Sequence, residues 1–163
     1  MTHSQCSEIF STSRFGRGVL VGSIIYGIPR GASNWLKINT SDDSISTAGD
    51  LGDLASRSFN GGFFYHDAIY CVPESAQEVL KIFPQNDTFS VFGNINQGTK
   101  FDWKGGAMTA DGIIYAAPRN GDSILKIDAN TDSVEELFFP NQISVDGYKY
   151  GVTILGSDGA IYG

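Results

Sequence analysis

The chain has 163 residues, 41% of them hydrophobic and 12% aromatic, enough apolar material for a packed core and too much for a disordered segment. Its net charge of −7 argues against a nucleic-acid footprint and favours solubility without indicating a partner. Two cysteines, Cys6 and Cys71, are too few for a disulfide framework or a metal site, and no stretch approaches the ~20 apolar residues of a membrane-spanning helix.

Residues 1–14 lack the basic start and apolar core of a secretion signal, which makes a cytoplasmic location the expectation. Within them Ser7-Glu8-Ile9-Phe10 is similar to Glu135-Glu136-Leu137-Phe138, so this head reads as the outer strand of a preceding unit.

From Phe15 onward the chain repeats. Tyr26, Tyr70, Tyr115 and Tyr162 follow one another at steps of 44, 45 and 47 residues. Three residues after each of the first three tyrosines stands a proline: Pro29, Pro73 and Pro118. Apolar runs containing Lys37, Lys81 and Lys126 come next, followed by Asp43, Asp87 and Asp132. Eleven or twelve residues before each tyrosine sits another aromatic: Phe15, Phe59, Trp103 or Tyr150. A period of ~40–50 residues is the mark of propellers and related arrays. The units run 15–58, 59–102 and 103–149, with a partial unit at 150–163.

The third unit shows how one repeat becomes structure. Asp111-Gly112 between apolar segments predicts a type I′ hairpin turn, which needs positive φ at both central residues. Ile113 to Ala117 is continuously apolar, as in a strand buried on both faces. Pro118 lacks a donor and ends that strand. The turn residues at 119–122 and 129–132 separate two further strands. Four strands are predicted near 105–110, 113–118, 123–128 and 133–138, with the same four in units one and two. Gly61-Gly62 and Gly105-Gly106 open the innermost strands, where backbones crowd the axis. The resulting fold class is all-β: β-propeller blades of four antiparallel strands, three complete and a fourth in part, a ring that this stretch does not close. Cys71, inside a second strand, reads as a small core hydrophobe.

Trp103-Lys104-Gly105-Gly106, Asp111-Gly112-Ile113-Ile114-Tyr115, Pro118 and Leu125-Lys126-Ile127-Asp128 together resemble the YVTN-, kelch- and SMP-30-like propeller repeats. The resemblance covers residues 15–163 and implies the fold. An array stopping inside a blade implies a fragment of a longer chain, or copies that assemble to close the ring. Likeness to the SMP-30-like hydrolases would also imply a metal held in the channel by acidic residues. The innermost strands offer few, and Asp67, Asp111 and Asp158 fall at turns, where aspartate is favoured for backbone reasons. No metal ligand, cofactor or catalytic residue is therefore assigned.

Four residues are candidates for ligand binding. Phe59, Trp103 and Tyr150 belong to the once-per-blade aromatics, which could stack on a sugar or anchor a peptide. The competing reading is that they wedge neighbouring blades together. His66 stands at a hairpin turn, and its sequence neighbour Asp67 points to the opposite face, so the pair makes no catalytic dyad. Gly16-Arg17-Gly18 has the wrong spacing for a dinucleotide loop and no helix after it. Asn39-Thr40-Ser41 and Asn86-Asp87-Thr88 match the glycosylation sequon by composition of a turn. The leading expectation is a non-enzymatic module that binds protein or carbohydrate through loops of one rim, without nucleic acid or membrane. The alternative is a lactonase-like hydrolase whose carboxylates lie in blades beyond this stretch.

Overall fold

The computed structural model describes residues 14–95, 103–119, 121–138 and 153–162. Blade one comprises β1 (Phe15–Val21), β2 (Ile24–Pro29), β3 (Trp35–Asn39) and β4 (Ile45–Ala48). Blade two comprises β5 (Phe59–Tyr65), β6 (Ala68–Pro73), β7 (Val79–Phe83) and β8 (Thr88–Phe92). Blade three comprises β9 (Ala107–Met108), β10 (Ile113–Ala116), β11 (Ser123–Asp128) and β12 (Ser133–Phe138). β13 (Ile154–Leu155) and β14 (Ile161–Tyr162) form the two-stranded part of a fourth. Each complete blade is an antiparallel meander in chain order, so the architecture is that of a β-propeller. The expected outer strand within residues 1–14 lies outside the described residues apart from Arg14.

The repeat offsets are consequences of strand register. Pro29 and Pro73 face Phe15 and Phe59 across the first hairpin of their blades, and Trp103 bridges to Pro118. Tyr26, Tyr70 and Tyr115 lie directly opposite Lys37, Lys81 and Lys126 on the third strand. A cross-strand pair shares one face of the sheet. That face looks toward the following blade.

Burial follows from stacking. β6 is buried at all six positions because blade two has a neighbour on each side. Its side chains alternate, as strand geometry requires. Ile69 and Cys71 join Tyr26, Ile28, Trp35, Phe59 and Leu80 in the core between blades one and two. Ala68, Tyr70 and Val72 join Trp103, Ile114, Leu125 and Ile127 in the core between blades two and three. Burial pushes the Cys71 thiol well above its ordinary range.

Lysine and aspartate latch the blades. Lys37 Nζ of blade one donates to Asp87 of blade two at 2.9 and 2.7 Å. Lys81 Nζ of blade two donates to Asp132 of blade three at 2.9 and 2.8 Å. Each ammonium lies over its own blade's tyrosine, 5.7 Å from the Tyr26 ring centroid and 5.0 Å from that of Tyr70. Asp43, Asp87 and Asp132 share left-handed backbone, with φ of 57°, 53° and 51°, a conformation that aspartate tolerates better than most residues. Tyr70 completes its junction by donating its hydroxyl to Ala129 O at 2.9 Å. In blade three, Lys126 pairs instead with Glu135 of its own blade, at 3.1 Å.

Several expectations need correction. β10 is alternately buried and half-buried, so it is covered on one face only. Its far side meets a two-stranded neighbour, which also leaves Tyr115 half-buried while Tyr26 and Tyr70 are buried. The innermost strand of blade three is Ala107–Met108, shorter than the predicted 105–110. Gly105 instead turns out at φ 71° and donates its N–H to Asn60 O of blade two. The Asp111-Gly112 turn is not type I′: only Gly112 has positive φ, and Gly112 N closes onto Thr109 O at 3.0 Å. The connection between blades one and two contains a 3-10 helix, Gly52–Ser56.

Candidate functional site

Antiparallel strands send successive turns to alternate rims of a propeller. One rim receives the turns within the first and third hairpins of each blade. Asp42, Asp43, Asp67, Asp87, Asp111, Asp128, Asp132 and Asp158 stand there. Their backbones explain much of this. Asp42, Asp128 and Asp158 accept bonds from main-chain N–H groups two residues on, closing Asx turns. Hydrogen bonds from Ser44, from Asn130 and from Tyr162 hold these three carboxyls below the ordinary range.

The opposite rim receives the second-to-third strand turns and the entries to each blade. All five arginines of the chain are on this side: Arg14, Arg17, Arg30, Arg57 and Arg119. Arg30, Glu74 and Arg119 occupy the same repeat position, one residue past the proline, in successive blades. Glu74 is buried and takes a bidentate bond from Arg30, with Nε–Oε2 at 2.5 Å and Nη2–Oε1 at 2.9 Å. Arg119 Nη1 lies 3.6 Å from Glu74 Oε1, and buried Asn60 donates to the same oxygen at 3.4 Å. A buried carboxylate is tolerable only when paired and hydrogen-bonded in this way. Farther out, Arg57 pairs with Glu78.

Nearer the axis, glycines bring the blade entries together. A β-carbon on Gly16 would lie 3.2 Å from Phe59 O, and one on Gly61 would lie 3.1 Å from Gly105 Cα. Arg17 rests on this glycine floor, with Nη1 at 3.1 Å from where a β-carbon on Gly105 would stand. It is exposed and has no hydrogen-bond or ion-pair partner among the described residues.

The sequence candidates fall elsewhere. Phe59 is fully buried between blades one and two. Trp103 is buried between blades two and three, its Nε1 donating to Ser123 O at 2.9 Å. Both rings occupy the wedge position and present no face to the surface. His66 is exposed on the aspartate rim, at φ 54°, with its ring edge-on to Tyr65 at 4.1 Å between centroids. Tyr150 lies outside the described residues. Among the described residues, Phe59, Trp103 and His66 are not brought together into one site. The group the structure does assemble, Arg17, Arg30, Asn60, Glu74 and Arg119, had one legible signal: a charged residue after each repeat proline. Among the described residues, no three His, Cys, Asp or Glu side chains gather closely enough to hold a metal ion, and no helix is long and apolar enough to cross a membrane.

Neither the protein-family models nor the curated proteins include a match to this chain. Solved structures do match. A streptogramin B lyase superposes with a TM-score of 0.69 at 19% identity, over 90% of this chain and 46% of that one. A catalytically inactive virginiamycin B lyase from Staphylococcus aureus, with quinupristin, gives 0.70 at 12% identity, over 92% of this chain and 48% of that one. A protein of unknown function from Bacteroides thetaiotaomicron gives 0.65 at 11% identity, over 93% and 39%. At these identities the likeness concerns the fold. The chain spans about half the length of the lyases it matches.

Proposed function

We propose that this chain is part of a non-enzymatic propeller module that binds a protein or carbohydrate partner through the loops of its arginine rim. The observation that carries the reading is the separation of charge between the rims: eight aspartates at the turns of one, and all five arginines on the other. In a chain of net charge −7, that placement gives one rim an electrostatic character the other lacks. The loops there, 31–34, 75–78 and 121–122, carry short polar residues suited to contact, among them exposed Ser33, Ser75, Gln77 and Asp122. Ring completion, by further blades or by a second copy, belongs to the same proposal; the exposed side chains of Phe138, Ile154 and Leu155 support it.

The test is a binding screen of the purified chain against glycan and peptide arrays, repeated with Ser33→Trp and Gln77→Trp on the arginine rim and with Asn130→Trp on the other. Loss of binding in the first two alone is the expected result. Binding lost only through the aspartate rim, or turnover of a lactone by this chain, would refute it.

A further inference from the structure

We infer that Gly16-Arg17-Gly18, dismissed as a nucleotide loop on its spacing, forms a subsite for an oxyanion: a carboxylate or phosphate group held by the Arg17 guanidinium at the mouth of the channel. The inference rests on the binding reading above and names the chemistry the rim recognises.

Three observations converge on it. The first is the seat. β1 is bulged between Phe15 and Gly18, and the Arg17 guanidinium within that bulge lies against Gly105 from blade three. A β-carbon at Gly105 would crowd the Arg17 guanidinium at 3.1 Å, and one at Gly61 would crowd Gly105 Cα at 3.1 Å. The glycines therefore give a flat cation a flat floor. Stacked in this way, a guanidinium keeps the in-plane donors of its fork available to a second pair of oxygens.

The second is that Arg17 has no acidic partner among the described residues. Arg30 and Arg119 have Glu74 and Arg57 has Glu78, whereas among the described residues no ion pair is made by Arg17 or by Lys104. Glu74 is taken up by Arg30, Asn60 and Arg119 and makes no described bond to Arg17. The third is distance from the aspartates. The seven residues of β1 rise about 3.3 Å each, which puts the two rims roughly 20 Å apart. The Debye length at physiological ionic strength is about 8 Å, so the far rim does not neutralise this one.

Calorimetric titration of the full chain tests this, with inorganic phosphate and glucuronate as separate probes. At least one should bind. Arg17→Gln should weaken it about tenfold or more, the usual worth of a charge-assisted pair, while leaving the urea midpoint unchanged because the side chain is exposed. Arg17→Lys keeps the charge without the fork and should fall between. Arg57→Gln removes the same charge from the rim and should change affinity less than about twofold. Which probe binds identifies the source of the oxyanion. Absence of binding by both probes overturns the subsite, as does an Arg57→Gln loss equal to that of Arg17→Gln, which would mean a diffuse field. If macromolecular binding persists at the rim while neither probe binds, the subsite falls and the module reading stands.

Discussion

Take the junction between blades two and three and remove its lysine. Lys81→Met keeps the stem that covers Tyr70 and deletes the ammonium. The Lys81 side chain is 14% exposed and that of Asp132 is 41% exposed, so this pair lies between a surface and a buried ion pair. An exposed pair contributes about 0–1 kcal/mol, and a cation over an aromatic face adds about 0.5–1. With the aspartate left in partial contact with water, the loss should be about 1–2 kcal/mol. In a chain of this length that lowers the thermal midpoint by about 2–8 °C. Asp132→Asn removes the charge while keeping a residue that tolerates φ of 51°, and should cost a similar amount. The double variant should cost little more than either single one, a coupling of about 1 kcal/mol. Asp132→Ala should cost a further ~1 kcal/mol from left-handed backbone strain. Urea unfolding of the parent and the four variants, at low and high salt, reads all of this. A coupling below about 0.3 kcal/mol would show that the latch is ornamental and that apolar stacking alone joins the blades.

Burial sets the next expectation: Tyr70→Ala should cost about 3–5 kcal/mol and Tyr115→Ala about half as much, because only the first ring is enclosed. Equal urea midpoints for the two would refute the stacking account. On the alkaline side, burial raises the pKa of Tyr26 and of Tyr70; burial also opposes the charge on Lys81, but its bonds to Asp132 and Tyr70 raise its pKa nonetheless. A raised folded value means stability that is complete below pH ~10 and lost as the pH climbs through the folded values. Unfolding midpoints measured from pH 8 to 12 should therefore hold and then fall, and a flat profile would contradict the assignment. Gly61→Ala should destabilise by about 1–2 kcal/mol, since φ there is 91° and the new β-carbon would lie 3.1 Å from Gly105 Cα. The same change should loosen the seat of Arg17, visible as a shift of its Nε–H resonance.

The strands were legible because register writes itself into sequence spacing. Tyr26 opposite Lys37, and Tyr70 opposite Lys81, return at a fixed offset whenever the hairpin returns. Relations between blades were not legible. Lys37 and Asp87 are 50 residues apart, and Lys81 and Asp132 are 51. Neither residue announces its partner until the blades are stacked. The same blindness hid the half-exposure of Tyr115, which depends on a neighbour rather than on its own strand. Glu74 drew no reading from sequence, because it becomes a buried hub only through the arginines at its equivalent positions in blades one and three. Arg17 was set aside because its motif was compared with a helix-linked phosphate loop, whereas its setting is a bulged strand on a glycine floor. The aromatics carried two readings from the start, and periodicity alone could not separate a wedge from a platform.

The latch has a direction. At both described junctions the earlier blade gives the lysine and the later blade gives the aspartate, so blade two leaves one junction as donor and enters the other as acceptor. A tandem duplication of one blade inserts both halves together, and a deletion removes both. Neither event strands a charge. Gene lengthening by whole units would thus be electrostatically silent, while a slip of half a unit would leave a lysine facing apolar core. Such a rule lets a lineage of these chains change its number of blades without first redesigning how blades meet.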